Sequence, residues 1–312
     1  MTTLVILAAG SGTRLGALGR RVRKPLLPVG PATLLEHHVA TFAALGLREA
    51  VVVVDAPDSP VAEHARRIAA SRGVRLQVAV QARRGGVGHA VLAAEPALGR
   101  RSFVLVLGDT FFVPTHLERG LHELQAGAAD VVLSVRRVDD PERIRRECTI
   151  ERSPDGRVTR IVEKPRDVLG PWKPCGIYFC GPALWDALRA TPPSALRDEV
   201  ELTDAIQGVI TGGGSVRAVE TLADDVNITT PRDVLEANLL WLGARRPPIP
   251  SYVEPSARVA PDARLEQAVV LAGATVGRGA RLRRAVVFPG AVVPEGADLQ
   301  DVLVDPELGP IG

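Results

Sequence analysis

Short apolar runs alternate with helically spaced segments through the first 240 residues. Runs at Leu4–Ala8, Ala50–Val54, Arg75–Val80 and Ser102–Leu107 predict buried strands, and the stretches around Leu34–Leu45, Val61–Arg72 and His89–Ala94 predict the helices between them. Further strands are expected at Asp130–Arg136, Val158–Glu163, Gly176–Cys180 and Ser215–Val219, with helices near Pro182–Ala190, Thr203–Thr211 and Pro231–Trp241. This βαβ order predicts an α/β domain built on a mostly parallel sheet. Ligands of such sheets gather at the carboxyl ends of the strands, so the Gly108-Asp109 step after the most apolar strand is well placed for chemistry.

The texture changes after residue 242. Residues 243–250 form a proline-rich linker, and from residue 251 aliphatic positions recur every 17 residues. Val253, Val270 and Val287 align, as do Val259, Val276 and Val293, then Leu265, Leu282 and Leu299, with Ala257, Ala274 and Ala291 between them. Three aliphatics per repeat, spaced six, six and five, fit a triangular coil. The expectation is a catalytic domain over residues 1–242 and about three coils of a parallel β-helix over 251–312. An antiparallel tail has no reason to keep so strict a period. Such coils often carry acyltransferase sites that use a histidine base, but the last histidine is His122, so that activity is not expected. A short coil leaves an open apolar end, which predicts packing on the catalytic domain or on a second copy, and a homo-oligomer.

Composition narrows the function classes. Hydrophobic residues at 46% and charged residues at 24% describe a folded chain, and a net charge of +2 supplies no bulk field for nucleic acid or an anionic membrane. No apolar run approaches the roughly 18 residues that span a bilayer. The N-terminus has no basic leader, and the three cysteines, Cys148, Cys175 and Cys180, lack metal-ligand spacing, which together predict free thiols in the cytoplasm. Only three of the 38 basic residues are lysine, and each precedes proline: Lys24, Lys164 and Lys173. An ammonium is a compact charge that fits against one phosphate oxygen, whereas guanidinium is a wide planar fork.

The candidate chemistry starts directly after the first strand. In Ala8-Ala-Gly-Ser-Gly-Thr-Arg14, Gly10 and Gly12 let backbone N–H groups close on a phosphate, Ser11 and Thr13 add donors, and Arg14 and Lys24 supply charge. The spacing misses the dinucleotide pattern, and no Gly-Lys-Ser/Thr follows. Structural readings compete at several positions: Asp109 as a turn cap, Thr203-Asp204 as a helix start, Lys173 and Cys175 as turn formers, and His89 as a loop hydrogen-bonder. Arg20, Arg21 and Arg23 read as a solvated loop that could also close over a polyphosphate.

In order, the motifs Gly10-x-Gly-Thr-Arg14, Lys24-Pro25, Gln81 with Gly86-Val-Gly-His-Ala90, Gly108-Asp109, Glu163-Lys164-Pro165, Gly176-Ile-Tyr178, Glu201-Leu-Thr-Asp204 and Asn227-Ile-Thr-Thr-Pro-Arg-Asp233 resemble the sugar-1-phosphate nucleotidyltransferases. The resemblance implies a Rossmann-like mixed sheet, a left-handed β-helical tail, and condensation of a nucleoside triphosphate with a sugar 1-phosphate to give a nucleotide sugar and pyrophosphate. It makes Arg14, Lys24 and Asp109 catalytic. Nucleotide binding would fall to Ala8, Ala9, Gly10, Ser11, Gly12, Thr13, Gln81, Gly86 and Gly88, and sugar-phosphate binding to Gly108, Glu163, Lys164, Gly176 and Glu201. Asp109 would ligate Mg²⁺ together with Asn227, or with the neighbouring Asp225. Gln81 matches the position that reads a uracil or thymine edge, and the Gly86–Ala90 run looks most like uridylyl members; Arg84 stands where thymidylyl members carry proline. UTP or dTTP with glucose 1-phosphate is the expected pair. GTP or ATP with another sugar or cyclitol phosphate, and an inactive regulatory homologue, are the alternatives.

Overall fold

The computed structural model describes residues 2–10, 12–194 and 198–312. The chain divides into two compact units that interleave along the sequence. Met1–Gly10, His38–Gly108 and Pro114–Asp224 form the first, and Ser11–His37, Asp109–Val113 and Asp225–Gly312 the second. Three segments that precede the linker therefore group with the coil.

The first unit is built on seven strands: β1 (Thr3–Leu7), β2 (Glu49–Val54), β3 (Arg75–Val80), β4 (Phe103–Leu107), β5 (Val131–Arg137), β6 (Trp172–Cys180) and β7 (Val216–Glu220). Their order is β7-β5-β6-β4-β1-β2-β3. The pairs around β1 are parallel, with Leu4 opposite Ala50 and Val104, while β6 runs antiparallel to both neighbours. The sheet is thus mixed. Strands β1, β2 and β4 are buried on both faces, which is why they read as continuous apolar runs. Trp185 seals one side of the core, its ring 4.6 Å from Phe103 and its indole N–H donating to the Arg101 carbonyl.

Two local readings change. The helix centred on His89–Ala94 extends over Gly86–Leu98, and Lys173 and Cys175, read as turn formers, lie inside β6 instead. Residues 172–175 look turn-like because Pro174 and Gly176 interrupt the apolar pattern. The strand absorbs them through a register break against β5 between Pro174 and Tyr178, with Gly176 at φ +72°.

In the second unit the 17-residue period is the rise of one coil. Arg264 pairs with Arg281 and Arg281 with Asp298, Arg258 with Thr275 and Thr275 with Val292, all in parallel register. Ala268, Val270, Val276, Leu282, Val287 and Val293 fill the interior. Each full turn bends at three places. Gly273 and Gly290 stack at one corner, Gly279 and Gly296 at the next, and Gln267, Arg284 and Asp301 at the third, all with positive φ. The non-glycine corner is cross-braced, since the Arg284 guanidinium donates to Asp301 at 2.7 Å and to Glu236 at 2.9 Å. Strand Gly309–Ile311 turns back antiparallel along Leu303–Asp305 and covers that edge of the coil.

One face of the coil is apolar outside as well as inside. Val269, Leu271, Val286, Phe288 and Leu303 share a core with helix Pro231–Ala244 and with Leu15, Leu18, Leu27 and Val29. Asn238, fully buried on that helix, accepts the Gly30 N–H at 2.8 Å and donates to the carbonyl of Pro28 at 3.0 Å. Gly30 itself has φ +60°, and a Cβ there would lie 2.4 Å from the Trp241 ring. Gly30→Ala should therefore cost about 2–4 kcal/mol, from overpacking plus backbone strain, and lower the thermal midpoint measured by circular dichroism.

Candidate functional site

Among the predicted residues of the second unit, Lys24 and Asp109 meet. Lys24 opens a 3₁₀ turn (Lys24–Leu26) that Pro25 starts, and its ammonium lies 3.0 Å from the Asp109 carboxylate with only 9% of the side chain exposed. The Gly12 backbone rests on this side chain: a Cβ at Gly12 would stand 3.3 Å from Lys24 Cγ, and φ +64° disfavours a side chain there anyway. Thr13 and Arg14, on the 3₁₀ turn Thr13–Leu15, are exposed, while Leu15 is buried. Ser11 lies outside the described residues. The result is an exposed hydroxyl and guanidinium on a glycine turn that covers a nearly buried ammonium. Such an arrangement suits a chain of phosphates, with the backbone and the cations dividing its charge.

The same unit places the metal candidates together. The Asp109 carbonyl accepts the Ile228 N–H at 2.8 Å, which seats Asn227 beside the Gly108-Asp109 turn. Asn227 Oδ1 is buried without a hydrogen-bond partner among the described residues, whereas Asp225 is buried and already engaged. One partly exposed carboxylate and one orphaned carbonyl oxygen are hard donors that fit Mg²⁺, a cation that keeps waters and substrate phosphates in its remaining positions. Of the two alternatives left by the sequence, Asn227 has the unpartnered side-chain oxygen.

In the first unit, Ala8 and Gly108 mark neighbouring strand ends: Gly108 N donates to the Leu7 carbonyl at 2.9 Å and Ala8 N to that of Val53 at 2.7 Å. A Cβ at Gly108 would sit 2.3 Å from the Leu7 carbonyl oxygen, so the approach admits glycine alone. Ala9 is half-buried and Gly10 exposed just beyond β1. Gln81 follows β3, and its amide nitrogen donates to the Gly86 carbonyl and lies 3.2 Å from His89 Nδ1. That contact holds the start of helix Gly86–Leu98, whose first-turn N–H groups have no side-chain cap at Gly85. Gly86 and Gly88 are required by packing, since a Cβ on either would fall within 2.8 Å of the segment Glu199-Val200. That segment leads into Glu201, which immediately precedes helix Leu202–Thr211. The helix begins one residue before the expected Thr203.

Glu163 ends strand Val158–Glu163, and the exposed Lys164 follows with φ 44°, its N–H donating to the Glu147 carbonyl at 2.7 Å. Glu147 is the residue that sequence reasoning missed. Its carboxylate holds Lys173, fully buried, at 2.7 Å. The one available signal was the retention of Lys173 in a chain almost without lysine. Arg136, also missed, is nearly buried and pairs with Asp224 at 3.0 Å, next to Arg143 at 3.7 Å. Arg21 does not lie in a solvated loop: it pairs with Asp305 and Glu307.

No group of three or more His, Cys, Asp or Glu residues that could hold a metal occurs among the described residues. All three cysteines are free and buried, and burial pushes the Cys148 and Cys180 thiols well above their ordinary range, which argues against thiolate nucleophiles. No helix among the described residues is long and apolar enough to cross a membrane.

Comparisons with known proteins bear on the family and the fold. Residues 3–238 match the nucleotidyl transferase family, and residues 250–306 match the GlmU-like C-terminal hexapeptide family. A glucose-1-phosphate thymidylyltransferase of Streptomyces griseus is 32% identical over 78% of this chain and 67% of its own length. The enzyme of the same name from Streptomyces antibioticus is 31% identical over 88% of this chain and 72% of its own. A crystal structure of UDP-glucose pyrophosphorylase complexed with UDP-glucose aligns with a TM-score of 0.67 at 20% identity, covering 78% of this chain and 100% of that one, a likeness of fold. The chain belongs to the nucleotidyl transferase family and carries a hexapeptide-repeat, left-handed β-helix at its C-terminal end.

Two outcomes follow from this geometry. Native protein at neutral pH should resist iodoacetamide and take up three labels per chain only in denaturant, as read by mass spectrometry. Lys173→Met should cost about 1–3 kcal/mol in a denaturant titration, less than a wholly buried pair because Glu147 keeps some solvent, and adding Glu147→Gln should recover part of the loss.

Proposed function

We propose that this nucleotidyltransferase joins a nucleoside triphosphate to a sugar 1-phosphate, releasing pyrophosphate, with UTP or dTTP as nucleotide and glucose 1-phosphate as acceptor. The observation that carries the reading is the Lys24 ammonium held against Asp109 under Gly12, with Arg14 exposed on the same turn. The activities in the names of the two Streptomyces relatives support the sugar-phosphate acceptor.

The reaction brings the negative charges of two phosphate-bearing substrates together, so catalysis is mainly positioning and charge stabilisation. A sugar-phosphate oxygen attacks the α-phosphorus; the new P–O bond forms as the bond to the bridging α,β-oxygen breaks, and pyrophosphate leaves without a covalent intermediate. Gly10, Ser11, Gly12 and Thr13, with Ala8 and Ala9, offer donors to the triphosphate, and Arg14 takes the charge of the departing β,γ-phosphates. Lys24 stabilises the negative charge that builds at the α-phosphate. Gln81, with Gly86 and Gly88 shaping its loop, reads a pyrimidine edge. Lys164 binds the sugar phosphate, and Glu163 and Glu201 accept from sugar hydroxyls, with Gly108 and Gly176 giving room. Asp109 and Asn227 would hold Mg²⁺, which when bound lowers the charge on the phosphates.

A cytoplasmic setting fits free cysteines and a nucleoside triphosphate substrate. No nucleic-acid or membrane partner is invoked. A homo-oligomer is proposed from the first coil, where Val253 is exposed at the uncovered end, and light scattering should then give a multiple of 33.1 kDa.

The test is pyrophosphate release from UTP, dTTP, CTP, GTP and ATP, each with glucose 1-phosphate and Mg²⁺. Robust turnover with UTP or dTTP is expected, reduced about 10²- to 10³-fold in kcat by Lys24→Ala and comparably by Asp109→Ala. Turnover confined to GTP or ATP would overturn the role of Gln81. Silence with a wider panel of sugar and cyclitol phosphates would leave the regulatory alternative.

A further inference from the structure

The loop from Gly12 to Lys24 packs in one core with the last two turns of the coil. Leu15 and Leu18 are each 1% exposed and belong to one contiguous core with Val286, Phe288 and Leu303. Leu18 and Arg21 are three residues apart on the short helix Ala17–Arg21, a spacing that puts both on one face. Arg21 Nε lies 3.1 Å from Asp305 Oδ2, and its guanidinium also pairs with Glu307.

Asp305 is an unusual partner. Its side chain is 1% exposed, at the end of the final coil strand, and its Oδ1 accepts the N–H groups of Glu307 at 2.9 Å and Leu308 at 3.1 Å. One oxygen thus caps the turn after the strand, while the other faces Arg21 as an ion pair without a hydrogen bond. The cation that faces this enclosed carboxylate comes from the loop between Arg14 and Lys24.

We propose that Arg21 and Asp305 are positioning residues for the triphosphate, so that the final turn of the β-helix sets the shape of the loop carrying Gly12, Arg14 and Lys24. Neither residue touches the substrates. The pair acts by removing freedom from the loop before the nucleotide arrives, which lowers the ordering cost of binding. The proposal rests on the assignment of this loop to the triphosphate.

Two variants separate the charge from the fold. Asp305→Asn keeps the oxygen that caps Glu307 and Leu308 and removes the charge facing Arg21; Arg21→Met changes a partly exposed end of a side chain. In pyrophosphate release with UTP or dTTP, glucose 1-phosphate and Mg²⁺, each should raise KM for the nucleotide about five- to tenfold, leaving kcat and KM for the sugar phosphate within about twofold. The double variant should be no worse than Arg21→Met alone, and Arg21→Lys should restore most of the loss. Amide hydrogen exchange between Gly12 and Val22 should quicken in both single variants.

An unchanged nucleotide KM with unchanged exchange would overturn the proposal. So would a parallel rise in both KM values with a lower thermal midpoint, the mark of general destabilisation. Lys24→Ala is the control on the loop's assignment: if it leaves both kcat and nucleotide KM intact, that assignment fails, and the proposal with it, whatever the exchange data show.

Discussion

A nearly buried ammonium needs a counter-charge, and the second unit supplies one to Lys24. Asp109 does so at 3.0 Å from the end of an apolar strand, and Gly12 leaves the room that any side chain would fill. Taking the Asp109 charge away would strand the ammonium in a poorly solvated place. In the proposed reaction an incoming phosphate and a divalent cation would compete for this pair, one with each member.

The coil serves this arrangement from outside its own repeat. Its interior follows from stacked aliphatic positions, but Val269, Val286 and Leu303 point out of the triangle into a core shared with Leu15, Leu18 and Trp241. Helix Pro231–Ala244 mediates: Asn238 fastens the turn at Gly30, and Glu236 braces the Arg284 corner. The Gly12–Lys24 loop, the helix and the coil thus share one packed core, and the β-helix is part of the support of the loop rather than an appendage after a linker.

In the first unit, close backbone approaches do comparable work. Gly86 and Gly88 admit the Glu199-Val200 segment, Gly108 admits the Leu7 carbonyl, and Glu147, the residue whose carbonyl receives the Lys164 N–H, is paired with the buried Lys173. These glycines, read as phosphate- or sugar-facing in the sequence, have packing reasons of their own. The two readings are compatible, because a backbone that must lie close to another backbone also exposes its N–H groups with no side chain in front of them.

The sequence by itself determined the main strands, the coil and the order of the motifs, since each depends on local patterning: strands buried on both faces need unbroken apolar runs, and a stacked coil needs an exact repeat. Val158–Glu163 falls where its alternation places it, and the 17-residue register pairs Val259 with Val276 and Val276 with Val293. Only the tertiary structure decided the antiparallel place of β6, the positive φ of Gln267, Arg284 and Asp301, the partners of Lys173 and Arg21, and the grouping of Ser11–His37 and Asp109–Val113 with the coil. Each of these is settled by residues tens to hundreds of positions away. Charge pairing and close packing act through space, so the composition around Arg21 reads as a solvated loop until Asp305 is brought beside it.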